Sequence, residues 1–277
     1  MFQTQKIDYH YFHFVSSIRA DIARIKNALS CKPMAIDLML IVAHPDDECY
    51  GTGGTFAEYA AKGLETGLIT LTKGKSGRSL ELCLQDDLPE FRANELLESV
   101  KHLGIKHFSH YDYPDAAPVS RSEQYVTSIP GTFVGGLQDV PRTEVVARVT
   151  KTLEELRPKV LMGFAPDGGN RHPDHIASHQ IMMAALKNTD LLETGTHLYY
   201  FASPTLMNPD WADTFVPATH HRDVRDYLPQ KLRAIAAHRT QALSTVGFLS
   251  RMAERIVVET FRRVHPVWDV NDRGSEL

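Results

Sequence analysis

Ile36-Asp37-Leu38-Met39-Leu40-Ile41-Val42-Ala43-His44-Pro45-Asp46-Asp47-Glu48 is the stretch on which the reading of this chain turns. Its first part is an apolar run of strand length, the pattern of a strand buried on both faces. Its second part sets one imidazole and three carboxylates where that strand ends. Charged side chains are seldom buried unless paired or bound to a metal. A cation at this place relieves the repulsion among the carboxylates. A carboxylate left off the cation is then available as a base.

Outward from this segment, strand and helix patterns alternate. Gly51-Thr52-Gly53-Gly54 opens a predicted helix through Phe56 to Lys62, stopped by Gly63. Gly67 to Thr72 reads as a second strand, followed by the basic loop Lys73-Gly74-Lys75-Ser76-Gly77-Arg78. A helix is predicted over 88–103, then a short strand over 105–109 that runs into Tyr113-Pro114-Asp115. Residues 116–142 are rich in Pro, Gly, Ser and Thr, and loops of that length are often lids or binding loops. A helix over 143–157, a strand over 159–164, a helix over 174–187 and a strand over 196–202 follow. Upstream, Phe14, Val15, Ile18, Ile22, Ile25 and Leu29 fall at the spacing of an amphipathic helix. Downstream, residues 226–243 and 249–263 read as helices. The alternation predicts an α/β domain with a mostly parallel sheet. The expected organisation is a helical segment over 1–33, the α/β domain over 34–202, and a helical extension over 203–277 packed on that domain.

Bulk properties exclude several classes. The 277 residues are 43% hydrophobic and carry a formal net charge of −4. Neither the charge nor any Lys/Arg stripe suits nucleic acid. The longest apolar runs fall far short of a membrane span. The N-terminus has no basic region followed by an apolar core, so no signal peptide is expected. Cys31, Cys49 and Cys83 are too few and too widely spaced for a disulfide framework or a thiolate zinc site. A reducing cytoplasm fits. A homo-oligomer is allowed by the sequence but not specified by it.

The second informative segment is Ala165-Pro166-Asp167-Gly168-Gly169-Asn170-Arg171-His172-Pro173-Asp174-His175, again directly after a predicted strand. In open α/β sheets, ligands sit beyond the carboxyl ends of strands, and both segments fall there. Pro173 suits a first helical turn, and His175 projects from it toward the same rim. Hydrolytic zinc takes three protein ligands and leaves one position for water. His44, Asp47 and His175 supply such a set, which also accepts other divalent transition metals.

These residues resemble the PIG-L/LmbE-like zinc deacetylase family, whose signature is an Ala-His-Pro-Asp-Asp-Glu run and a later His-Pro-Asp-His run. Here the two stand intact at 43–48 and 172–175. The resemblance implies a Rossmann-like fold and hydrolysis of N-acetyl groups, usually on glucosamine-containing substrates. It puts zinc on His44, Asp47 and His175, the general base on Asp46, and an oxyanion-stabilising histidine on His172. It further implies a substrate contact at Arg92, within Phe91-Arg92-Ala93-Asn94-Glu95-Leu96, and sugar hydroxyls at Asp115. One position departs: some relatives carry a tyrosine where this chain has Asn170, whose amide can still donate a hydrogen bond.

The expected chemistry is hydrolysis of the N-acetyl amide of an amino sugar or its conjugate. Zinc can bring the pKa of a bound water to about 7 and polarise the carbonyl. Asp46 takes the proton from water, protonated His172 beside the zinc stabilises the oxyanion, and Asp46 or His172 protonates the leaving amine. Each assignment has a plainer rival. Asp46 can serve only as an outer partner of the metal, and His172 can cap the helix that follows. Arg92 can pair with Glu95 or the acidic cluster, and Asp115 can belong to an ordinary turn. Glu48 is read as orienting its loop, Asp174 as stabilising the helix start or orienting a histidine, and Cys49 as a small filler behind the site. His179 is set back from the rim and is not read as a ligand. Gly51-x-Gly53-Gly54 lies too far from the strand end for nucleotide binding and is read as close helix–strand packing. The alternatives for the whole protein are an amidase or deacylase acting on a larger thiol conjugate or antibiotic, for which the long loop would shape the pocket, and a non-catalytic module that binds metal and sugar.

Overall fold

The computed structural model describes residues 34–119, 133–206 and 209–269. The helix expected within 14–29, Cys31 and the middle of the long loop lie outside these residues. In chain order the elements are β1 (Leu38–Val42), α1 (Asp47–Ala61), β2 (Thr66–Thr72), α2 (Leu88–Leu103), β3 (His107–Tyr113), β4 (Ala117–Pro118), β5 (Phe133–Val134), α3 (Arg142–Leu156), β6 (Val160–Gly163), α4 (Pro173–Leu186), β7 (His197–Phe201), β8 (His220–Asp223), α5 (Leu228–Ala237), α6 (Ala242–Met252) and β9 (Val258–His265).

Every residue of β1, β2 and β6 is buried. A strand covered on both faces needs apolar residues at odd and even positions alike, which is why 38–42 shows no alternation. The seven-stranded sheet runs in the order β3-β2-β1-β6-β7-β9-β8. The first five of these strands are parallel, β1 pairing with β2 from Leu38↔Thr66 to Val42↔Thr70 and with β6 from Leu38↔Val160 to Ile41↔Gly163. β9 and β8 close the far edge antiparallel. Helices α1, α2 and α5 pack together, as do α3 and α4. The result is the α/β, mostly parallel, Rossmann-like architecture that the sequence predicts. From β1 the chain builds outward to β2 and β3, then returns across β1 to add β6 and β7. The direction of strand addition therefore reverses between β1 and β6, the switch point at whose carboxyl ends ligands bind in sheets of this kind.

The tail departs from expectation. Residues 226–243 form two pieces, α5 and α6, broken at His238, where the backbone takes φ −82°, ψ 62°. The helix expected over 249–263 ends at Met252, and Val258–His265 becomes strand β9. Val258, Thr260, Phe261 and Val264 are β-branched or aromatic and suit a pleated surface better than a helix. Helix α1 also starts earlier than predicted, at Asp47, so its glycines lie inside it. They serve close packing, but against the tail rather than a neighbouring strand: a methyl at Gly54 would overlap Val224, and one at Gly53 would crowd Lys231.

The same region holds a buried ion pair. Lys231 Nζ and Glu259 Oε1 are 2.8 Å apart, with both side chains fully buried. The pair is well satisfied. Glu259 accepts the backbone N–H groups of Gly54 and Thr55 at 2.8 and 2.9 Å, and Lys231 also donates to the Arg255 carbonyl at 2.9 Å. It thereby ties β9 and α5 to α1. Removing one partner leaves the other charge buried and alone. Lys231→Met is expected to lower the free energy of unfolding by about 3–5 kcal/mol in denaturant titrations. A change under about 1 kcal/mol would mean that the pair is not the tie described.

Candidate active site

Both sequence segments meet at the switch point between β1 and β6. The first leaves β1 and turns sharply. Asp46 has φ 118°, ψ −26°, a left-handed conformation for a residue with a Cβ. Such strain costs about 1–3 kcal/mol and persists only where surroundings enforce it. Here Glu48 Oε2 accepts the Asp46 N–H at 2.9 Å, Cys49 Sγ donates to the Asp46 carbonyl at 3.0 Å, and Arg92 Nη2 donates to the Pro45 carbonyl. The second segment leaves β6, turns through Gly168 and Gly169, and starts α4 at Pro173.

His44, His172 and His175 offer ring nitrogens that all lie within 4.8 Å of one another. Asp47 sits between two of them, with Oδ1 3.4 Å from His175 Nε2 and Oδ2 3.6 Å from His44 Nδ1. The outer nitrogens are held from behind. His44 Nε2 lies 3.0 Å from Asp174 Oδ2, and His175 Nδ1 lies 3.1 Å from the Gly168 carbonyl. In the neutral ring each bond places the proton on the outer nitrogen, so that the nitrogen on the Asp47 side is the one free to ligate. Metal-ligating histidines are braced in this way. Phe164 stacks on His175 with ring centroids 4.0 Å apart, and Phe133, from the long loop, lies 4.6 Å from His172.

The electrostatics ask for positive charge. Burial works against a charge on His44, yet Asp174 and Asp47 raise its pKa to about 10. Burial would likewise raise Asp47, but His175 and His44 hold it well below the usual carboxylate range. A proton on His44 thus stands where a divalent cation would satisfy the same carboxylates. The donor set, one carboxylate and up to three imidazoles, fits a transition metal of zinc type. Asp46, beside it, is pushed up to about 6 by burial and the Asp47 charge.

His172 carries two features that the sequence presented as rivals. It caps α4, Nδ1 accepting the Asp174 N–H at 3.2 Å, and its ring lies 4.8 Å from that of His44. Burial and the neighbouring His44 and His175 push its pKa down to about 2. The protonated, cationic His172 of the sequence reading does not fit this environment. A neutral ring suits it, with Nδ1 accepting the Asp174 N–H and the proton on Nε2.

The remaining residues fall around this centre. Arg92 is 4% exposed and lies beneath the site, donating to the carbonyls of Gly74 and Pro45, with Nη2 3.9 Å from Asp46 Oδ1. It does not pair with Glu95, which instead accepts the Thr240 N–H and hydroxyl at 2.9 and 2.6 Å. Asp115 accepts the Ser76 N–H through Oδ2 at 2.9 Å, while its buried Oδ1 has no hydrogen-bond partner among the described residues. Asn170 is exposed, and its Oδ1 accepts the His172 N–H at 3.0 Å. His179 turns away to the Phe164 carbonyl at 2.9 Å.

Sequence reasoning left Asp174 with a choice of parts and missed its reach. Its fully buried carboxylate accepts from the backbones of Ala116 at 2.7 Å and Leu137 at 2.8 Å besides His44, so it fixes the described ends of the long loop to the site. Gly136, at φ 101°, lets the backbone pass so close that a methyl there would strike Asp174 Oδ1. No local signal marks such a long-range partner beyond the buried acid itself.

An α/β enzyme with a metal-competent cluster at the switch point of its sheet is the class these features define. The chain matches the family described as PIG-L, GlcNAc-PI de-N-acetylase, over residues 39–186, and it belongs to that family. It is 32% identical over 231 residues to a 1D-myo-inositol 2-acetamido-2-deoxy-alpha-D-glucopyranoside deacetylase of Mycobacteroides abscessus, an alignment covering 74% of this chain and 81% of that protein. Among solved structures it resembles the N,N'-diacetylchitobiose deacetylase of Pyrococcus horikoshii, with a TM-score of 0.60, 19% identity and 95% of each chain covered. It also resembles GalB, the 4-carboxy-2-hydroxymuconate hydratase of Pseudomonas putida, with a TM-score of 0.58, 16% identity, and 85% of this chain and 99% of that one covered. At these identities the structural likenesses establish the fold alone, and one fold here carries two reaction types. Among the described residues, no helix is long and apolar enough to cross a membrane.

The Asp174 hub gives a direct expectation. Asp174→Ala leaves the Ala116 and Leu137 N–H groups and His44 without their acceptor. It should cost at least about 2 kcal/mol of unfolding free energy, at roughly 1–3 kcal/mol per buried orphan. Wild-type stability in that variant would contradict the hub.

Proposed function

We propose that the protein hydrolyses the N-acetyl amide of an amino sugar or its conjugate, using a divalent metal of zinc type. The observation that carries this reading is the convergence of His44, Asp47, His175 and His172 on one point, with Asp46 alongside. Family membership and the deacetylase relative support the acetamido-sugar class. His44, Asp47 and His175 would hold the metal, because the bracing of both imidazoles aims one free nitrogen of each at Asp47. When bound, such an ion lowers the pKa of a water to about 7 and polarises the amide carbonyl.

The residues of the chain do the rest. Asp46 accepts the proton that the attacking water gives up as its oxygen bonds the acetyl carbon. Neutral His172 donates its Nε2–H to the oxygen that becomes negative, and one such donor is worth roughly 3 kcal/mol in the transition state. As the C–N bond breaks, the amine takes the proton from Asp46. Acetate and the free amino sugar leave. Arg92 steadies the Pro45 and Gly74 turns from beneath instead of facing the substrate. Asp115, held to the basic loop through the Ser76 N–H, is the residue assigned to a sugar hydroxyl. Asn170, at the exposed rim, offers its amide to the substrate.

Metal-loaded protein should release acetate from N-acetylglucosamine conjugates. Asp46→Asn should reduce the rate by roughly 10²- to 10⁴-fold with metal content unchanged. Equal rates in the two proteins would remove the base. In a panel of acyl chain lengths, indifference to the sugar would favour the larger-amide alternative.

A further inference from the structure

Behind Asp46 lies a buried polar chain that the hydrolytic scheme does not use. Glu48 is 0% exposed, and both its oxygens are engaged. Oε2 accepts the Asp46 N–H at 2.9 Å. Oε1 accepts the Ser99 hydroxyl and lies 2.7 Å from His238 Nε2. His238 is 1% exposed, and its Nδ1 has no hydrogen-bond partner among the described residues. Glu48 is therefore the one polar contact its ring makes there.

The tail delivers this imidazole on a fixed turn. His238 is the residue that breaks α5 from α6. Its N–H donates to the Ile235 carbonyl at 3.2 Å, and its carbonyl accepts from Gln241 at 2.9 Å. Two residues on, Thr240 is clamped to Glu95 of α2 through both its N–H and its hydroxyl. Glu48, Cys49 and His238 lie close enough to suggest a second metal cluster. That group is closed on itself, since His238 bonds Glu48 directly and Cys49 Sγ donates to the Asp46 carbonyl.

We infer that His238 is a positioning residue for Asp46. It orients the Glu48 carboxylate, which grips the Asp46 N–H and holds the left-handed backbone that aims the Asp46 side chain into the site. This deepens the function proposed above and rests on Asp46 being the base.

The test compares His238→Gln with His238→Asn in the full, metal-loaded chain. A glutamine amide reaches the place of the imidazole Nε2, and the shorter asparagine amide does not. Two quantities are read: kcat and KM for acetate release, and hydrogen exchange at the Asp46 amide, which needs no turnover. His238→Asn should lower kcat roughly 10- to 100-fold, the usual effect of losing an outer partner, with KM little changed and Asp46 exchange faster. His238→Gln should restore both. Wild-type kcat in His238→Asn, unchanged exchange at Asp46, or equal impairment in the two variants would overturn the inference. Should His238→Asn lack a cooperative unfolding transition, Glu48→Ala, which removes the acceptor of the Asp46 N–H, takes its place. It should show the same paired loss, and wild-type values there would be equally fatal. The Asp46→Asn assay judges the base separately, so a failed base and a failed relay are distinguishable.

Discussion

Negative charge is buried at one edge of this sheet, and the rest of the site follows from how it is balanced. Asp46, Glu48 and Asp174 are buried, and the Asp47 side chain is 11% exposed. Carboxylates so placed are stable only beside opposite charge or several donors. Each has its own solution. Asp174 has two backbone N–H groups and His44; Glu48 has Ser99, His238 and a backbone N–H; Asp46 has Arg92 at 3.9 Å. Asp47 has one backbone N–H, that of His44 at 2.8 Å, and otherwise faces the imidazoles of His44 and His175. That is the arrangement a cation completes.

The sheet makes this balance possible by topology. β1 and β6 are hydrogen-bonded neighbours although well over a hundred residues separate them in the chain. The loops that leave their carboxyl ends are thrown together at the switch point, one bringing His44 and Asp47, the other His172 and His175. The antiparallel edge adds a second effect. Because β9 and α5 are tied to α1 through Lys231 and Glu259, the tail is fixed closely enough to place His238 behind Glu48. Packing at the far edge of the sheet is thus linked to the backbone of Asp46.

Much of this was legible in the residues. The unbroken apolar run at 38–42, Gly63 and Pro173 marked elements whose cause is local. His44, Asp47 and His175 could be grouped because strand-end placement constrains where motifs meet. The failures have a common origin in long-range contacts. β9 reads as helix until β7 and β8 are there to pair with it. His238 takes its place behind Glu48 only where α5 breaks from α6. The charge state of His172 depends on two other imidazoles that no local pattern reveals, and Asp174 shows its reach only when the long loop closes on it.

The central claim is that one cation is held jointly by the two strand-end loops. Crystals grown with zinc and measured on both sides of the zinc absorption edge test it most directly. The account predicts one strong anomalous peak, about 2.0–2.2 Å from a ring nitrogen of His44, a ring nitrogen of His175 and a carboxylate oxygen of Asp47. A peak ligated by His172 in place of Asp47 would contradict the ligand assignment, and the absence of any peak between the two loops would contradict the claim itself.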